Sequence, residues 1–160
     1  MTKLIKPTDF IRKLQDNEKL TKINLRNYNI NSNDLKLLSG ALKNNKTVTH
    51  INLHNTNIYD DGAKIVAKFL QNNTTVTKID LSNNNISDDG ARQLAKALEI
   101  NSTLSELRLD DNILSHNVVK ELVEMIEAGK IVSTIRISSI ENNSVISDVL
   151  DVLIVGLTQI

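Results

Sequence analysis

The chain has no cysteine, no tryptophan and a single proline in 160 residues. Without cysteine there is no disulfide staple, no thiolate nucleophile, no iron–sulfur cluster and no cysteine-ligated zinc, so a reducing compartment or a bacterial protein is expected. Aromatic residues are scarce too, limited to Phe10, Tyr28, Tyr59 and Phe69. Charge of one sign is also missing. The 19 basic and 19 acidic side chains cancel to a net charge of 0, which removes the polyelectrolyte argument for nucleic acid or an anionic membrane surface. No apolar run reaches the roughly 18 residues of a membrane span. Val145 to Ile160 comes nearest and is broken by Asp148 and Asp151, while Lys3, Lys6, Asp9, Arg12 and Lys13 break up any signal-peptide core at the start. A cytosolic chain is expected, with neither nucleic acid nor membrane as partner.

What the chain has in excess is asparagine, often in runs such as Asn44–Asn45, Asn72–Asn73 and Asn83–Asn85, together with an internal repeat. The segments LTKINLRNYNI from Leu20, VTHINLHNTNI from Val48, VTKIDLSNNNI from Val76 and LSELRLDDNIL from Leu104 start at one constant interval, and Val132 opens a degenerate fifth copy, VSTIRISSIEN, at the same interval again. Each is a variant of L-x-x-L-x-L-x-x-N-x-L, with the asparagine itself present in the third and fourth. The alternating pairs Ile23/Leu25, Ile51/Leu53, Ile79/Leu81, Leu107/Leu109 and Ile135/Ile137 predict short strands. Between them lies helical spacing. Leu35, Leu38, Ala41 and Leu42 fall on one face, as do Ala63, Val66, Phe69 and Leu70, then Ala91, Leu94, Ala97 and Leu98, then Val119, Leu122, Met125 and Ile126. Ser87 ahead of Asp88 and Asp89, Asn33 with Asp34, and Asp60 with Asp61 supply polar groups for the helix starts.

These units resemble leucine-rich repeat proteins of the ribonuclease-inhibitor subtype, and the third copy, VTKIDLSNNNISDDGARQLAKALEINSTL, is the nearest match. The resemblance runs from about Leu20 to Ile137 and implies a right-handed α/β solenoid, a horseshoe segment with a parallel concave sheet and outer helices. It says little of function, since the same scaffold serves inhibitors, immune receptors, actin regulators, GTPase activators and pathogen effectors. One slot departs from the pattern. The position whose side chain normally bonds the neighbouring loop holds Asn84 and Asn112 but Thr56 and Tyr28 earlier; threonine replaces part of that bonding, and Tyr28 is assigned to the surface. The chain is read as one domain over 1–160, with a helical cap over 1–19, four repeats over 20–131, and a degenerate fifth repeat with a C-terminal helix over 132–160. That last helix is apolar nearly all round where a cap ought to be polar.

Side chains flanking the buried strand residues are expected to line the hollow in three columns. The first is Lys22, His50, Lys78, Glu106 and Thr134, the second Asn24, Asn52, Asp80, Arg108 and Arg136, the third Arg26, His54, Ser82, Asp110 and Ser138. Early units are basic and later ones acidic. The face is expected to orient a protein partner, through Lys22, Asn24, Arg26, His50, Asn52, His54, Lys78, Asp80, Glu106, Arg108, Asp110 and Arg136, and to bind more weakly in salt. Its nominal area is on the order of 300 Å² against about 800 Å² per partner in stable complexes, so it is too small unless flanking loops join in, and the Tyr28 and Tyr59 edge and the last helix stand as alternative binding surfaces. A competing expectation is a homodimer through Val152, Val155, Leu157 and Ile160 of the last helix.

Nothing points to catalysis. His50 and His54, four residues apart in a strand, would stand about 13 Å from each other, too far to share a metal. The acidic pairs Asp60/Asp61, Asp88/Asp89 and Asp110/Asp111 lack the alternating loop that wraps calcium. Glycosylation triplets at Asn45, Asn73 and Asn101 recur at one repeat offset and are read, with Asn85, as structural. No Ser-His-Asp order or glycine-rich phosphate loop occurs, so no cofactor is expected. The function expected is a non-catalytic protein-interaction module, with bacterial or protist effector as one role. The alternatives are a self-associating scaffold and a GTPase activator using Arg26 or Arg108.

Overall fold

The computed structural model describes residues 19–138. The expected N-terminal cap and the apolar C-terminal helix carrying Val152, Val155, Leu157 and Ile160 lie outside the described residues. Among the described residues, five strands alternate with four helices: β1 (Lys22–Asn24), α1 (Ser32–Leu42), β2 (His50–Asn52), α2 (Tyr59–Leu70), β3 (Lys78–Asp80), α3 (Asp88–Leu98), β4 (Glu106–Arg108), α4 (His116–Glu127) and β5 (Thr134–Arg136). The strands form one parallel sheet in chain order, with Lys22, His50, Lys78, Glu106 and Thr134 in a single row. This is the leucine-rich-repeat solenoid expected of the sequence.

The hydrogen-bonded ladder runs past the short strands. Leu25, Leu53, Leu81 and Leu109 donate N–H to the carbonyls of Asn52, Asp80, Arg108 and Arg136 at 2.8–2.9 Å, and Asn27, Asn55, Asn83 and Asp111 do the same two residues later. Ile23/Leu25 and their counterparts through Ile135/Ile137 are buried beneath the sheet. Leu35, Leu38 and Leu42, Val66 and Leu70, Leu94 and Leu98, and Leu122 meet them from the helices. Ala41, Phe69, Met125 and Ile126 sit at the margin, packed on the core but partly exposed.

Asparagine performs three jobs. Asn27, Asn55 and Asn83, with Asp111, adopt left-handed backbone at φ 54–64° at one repeat position, and Asn57 and Asn85 do so at another. Asn and Asp carry this conformation at lower cost than other residues with a Cβ. Asn84 and Asn112 stitch one loop to the one before: Asn84 Oδ1 accepts from Thr56 N–H at 2.9 Å and Ile58 N–H at 3.2 Å, and its Nδ2 donates to Leu53 carbonyl at 2.7 Å. Asn45, Asn73 and Asn101 close the turn into each strand, each accepting from the N–H three residues on at 2.7 Å. Asn73 and Asn101 are buried, which removes them as glycosylation sites.

Helix starts differ from the sequence expectation. The cap of α1 is Asn31, not Asn33: Asn31 Oδ1 accepts from Asn33 N–H at 2.8 Å and Asp34 N–H at 3.0 Å, and Asp34 Oδ2 returns to Asn31 N–H at 3.2 Å. Ser87 caps α3 as expected, but Asp60 does not cap its own helix. Its Oδ1 accepts from Ser87 N–H at 2.8 Å and Gly90 N–H at 3.2 Å while Oδ2 accepts from Ser87 Oγ at 2.6 Å, so it serves the next helix along. Asp88 repeats the device on Ser115 N–H at 2.8 Å. Partners a whole coil apart in the chain are invisible to a local capping rule. Burial pushes the Asp60 carboxyl up, but the Ser87 hydroxyl, the Ser87 and Gly90 N–H groups and Lys64 outweigh it and hold it below the ordinary carboxylate value. A depressed folded-state pKa contributes stability that is present above the unfolded value and lost as pH falls through the folded one. Ser87→Ala should therefore lower stability at neutral pH, with the difference from wild type shrinking below about pH 4, as urea titrations at both pH values would show.

Gly40 lies within α1, and a Cβ built there meets nothing within 4 Å. Gly40→Ala is expected to stabilise the fold by about 0.5–1 kcal/mol, since alanine removes chain entropy from the unfolded state at no steric cost. Thermal melting checks it.

Candidate concave binding face

The three columns stand side by side as the register dictates, and the hollow above β1 to β4 forms an open trough of about 380 Å³ lined by Lys22, His50, Lys78, Asp80, Glu106 and Arg108 among others. The columns are not all free for a partner, however. Asn24 Oδ1 accepts from Arg26 N–H at 3.1 Å and Asn52 Oδ1 from His54 N–H at 2.9 Å. Asp80 Oδ1 likewise takes Ser82 N–H at 3.0 Å and its hydroxyl at 2.6 Å. The second column thus ends the strand by a side-chain turn. Ser82, assigned to the hollow, is buried, with its N–H and hydroxyl both bonded to Asp80 Oδ1.

Charges on the later strands largely pair with one another. Lys78 Nζ lies 3.1 Å from Glu106 Oε2. The Arg108 guanidinium stands between three carboxylates, 3.8 Å from Asp80, 3.9 Å from Glu106 and 3.7 Å from Asp110. Arg108 Nε is buried without a hydrogen-bond partner, so this cluster is held by charge rather than by directed bonds. Lys22, Arg26, His54 and Arg136 make no side-chain ion pair with any described residue, and the His50 ring bonds only the Thr49 hydroxyl, at 2.7 Å. The expected two-signed face is present, with its acidic half partly neutralised from within.

A family model described as the TMOD/LMOD leucine-rich domain matches residues 5–143. The chain belongs to that family. Among solved structures, leiomodin-1 actin-binding site 2 superposes with a TM-score of 0.73 at 22% identity, covering 91% of this chain and 88% of that one. The tropomodulin C-terminal domain of Caenorhabditis elegans gives a TM-score of 0.71 at 18% identity, covering 94% of each chain. No curated protein sequence matches. The family result names a leucine-rich domain, the class read from the repeats, but not the ribonuclease-inhibitor subtype.

Two features of this family member escaped sequence reasoning. Tyr28 is half-buried and packs against the core rather than lying on the surface, its N–H donating to Leu25 carbonyl at 3.1 Å. Tyr59 sits where Asn31, Ser87 and Ser115 cap the other helices; it is 54% exposed with φ +52°, and α2 has no side-chain cap. The aligned repeats carry the signal, a tyrosine in a capping slot. Among the described residues no group of three or more His, Asp or Glu side chains is placed to hold a metal ion.

Proposed function

We propose that the chain is a non-catalytic protein-binding module whose partner is actin, engaged through the concave sheet and the adjoining loops. The observation that carries this reading is the family match across residues 5–143, supported by a shared architecture with a leiomodin-1 domain described as an actin-binding site. Within the leucine-rich-repeat class, a full α-helix of 11 or 12 residues in each unit favours the ribonuclease-inhibitor subtype. Because the sheet is small, loop residues such as Tyr59 supply the rest of the contact area.

Co-sedimentation of the full chain with filamentous actin, and crosslinking to monomeric actin, test the proposal. Binding that weakens with salt is expected. Lys78→Trp, which places a bulky ring in the middle of the hollow, should reduce it by about tenfold, a typical cost of obstructing an interface centre. No association of the wild type with either form of actin removes actin as the partner. Undiminished binding by Lys78→Trp moves the contact from the sheet to the loops.

A further inference from the structure

Among the described residues, the basic half of the concave face differs from the acidic half in having no internal counter-charge. Lys22 stands opposite His50 in the β1–β2 register. Arg26 and His54 follow four residues along each chain, kept adjacent by Asn27 N–H donating to His54 carbonyl at 3.0 Å. These four groups mark the corners of a rectangle about 5 Å by about 13 Å. No described carboxylate pairs with any of them. Between them lie Asn24 and Asn52, whose Oδ1 atoms are taken by the N–H groups of Arg26 and His54. Each of these amides therefore offers a ligand its NH₂ group. The rectangle presents donors and cations, and the complementary ligand is an anion rich in acceptors.

The neighbouring strands limit what kind of anion that is. Lys78 and Arg108 against Asp80, Glu106 and Asp110 make two cations against three carboxylates, a local charge of −1. A nucleic-acid strand or a bilayer surface extends past the rectangle with uniform negative charge and would be repelled there. A peptide can change its sequence over that distance.

We propose that Lys22, Arg26, His50 and His54 form a docking site for a short acidic segment of a partner protein, in extended conformation. Two carboxylates four residues apart, about 13 Å along such a chain, span the long side, and the segment turns neutral or basic where it reaches β3. This deepens the protein-binding reading without requiring that the partner be actin.

The test is fluorescence anisotropy of the full chain with a labelled dodecapeptide carrying Glu at two positions four apart and flanking Asp residues, against its Gln/Asn analogue. The acidic peptide should bind at least about tenfold more tightly at low ionic strength, and the preference should collapse near 0.5 M salt, where screening shortens to a few ångströms. Lys22→Glu with Arg26→Glu alters two exposed side chains and should abolish the preference with the melting curve unchanged. Glu106→Gln with Asp110→Asn, which frees Lys78 and Arg108, should strengthen binding severalfold. Equal affinity for both peptides, or an undiminished preference in a folded Lys22/Arg26 variant, overturns the site. So does tighter binding to an oligothymidylate of equal charge or to vesicles of anionic lipid. The two readings fail separately. A chain that takes the peptide and ignores actin keeps this site and loses actin; one that sediments with actin and ignores the peptide does the reverse.

Discussion

Asn84→Ala is expected to lower the unfolding free energy by about 3 kcal/mol, because it strands several buried groups at once. Asn84 and Thr56 are fully enclosed. Truncation leaves Thr56 N–H, Ile58 N–H and Leu53 carbonyl without the partners now at 2.9, 3.2 and 2.7 Å. The Thr56 hydroxyl keeps its bond to Leu53 carbonyl at 2.7 Å, so the carbonyl is only partly abandoned and the N–H groups account for most of the loss. Asn84→Thr should cost nearly as much, since the threonine that fills that slot one coil earlier sends its hydroxyl to its own coil's Leu53 carbonyl and to Asn84, not to the preceding loop. Urea unfolding is the measurement, read as a shift of midpoint at constant slope. A loss under about 1 kcal/mol for the alanine variant would mean that the loops are held together chiefly by the apolar core.

The second large effect belongs to Gly90→Ala. A Cβ at that position lies 2.5 Å from Asp60 Oδ1, 2.6 Å from Ile86 Cγ2 and 3.1 Å from Ala63 Cβ. Ile86 and Ala63 are fully buried, so the Ile86 methyl can give way only by disturbing the core. Both it and the carboxylate must shift, the carboxylate giving up its bonds to Ser87 and Gly90, and a cost of about 2–3 kcal/mol is expected. Gly40→Ala, the same chemical change in open space, has the opposite sign. A double-mutant cycle separates the causes. If Gly90→Ala acts by displacing Asp60, then Asp60→Ala should cost much less in the Gly90→Ala background than alone. Full additivity would place the damage in helix packing around Ala63 instead.

Both variants probe contacts between consecutive coils, and the solenoid depends on those contacts throughout. Each described helix packs on its sequence neighbours, and each strand pairs with the equivalent strand of the next repeat. Stability in such an array is a sum over coils and the interfaces between them. Asp60 on Ser87 and Asn84 on Thr56 are interface groups of this kind.

Most of the architecture was legible because the repeat supplies the same information several times. One segment alternating at Ile23 and Leu25 is weak evidence for a strand; five segments alternating in one phase dictate a parallel register. The turn role of Asn45, Asn73 and Asn101 was legible for the same reason. The helix caps were read less well, since Asp60 and Asp34 look alike in the sequence and only one of them serves its own helix. For the candidate site, the sequence placed the charged columns and their two signs. It did not show that Asn24, Asn52 and Asp80 turn their oxygens onto their own backbone, or that Ser82 is buried against Asp80.

What the amino-acid order determined by itself is the coil: its length, its alternation, its buried strand residues and most of the side chains that line the hollow. Tertiary structure decided which of those side chains remain available, because availability depends on distances between coils. Arg108 and Arg26 are equivalent in composition, yet one is surrounded by carboxylates at 3.7–3.9 Å and the other meets none among the described residues. Coulombic attraction falls with separation, and only stacking the coils sets that separation.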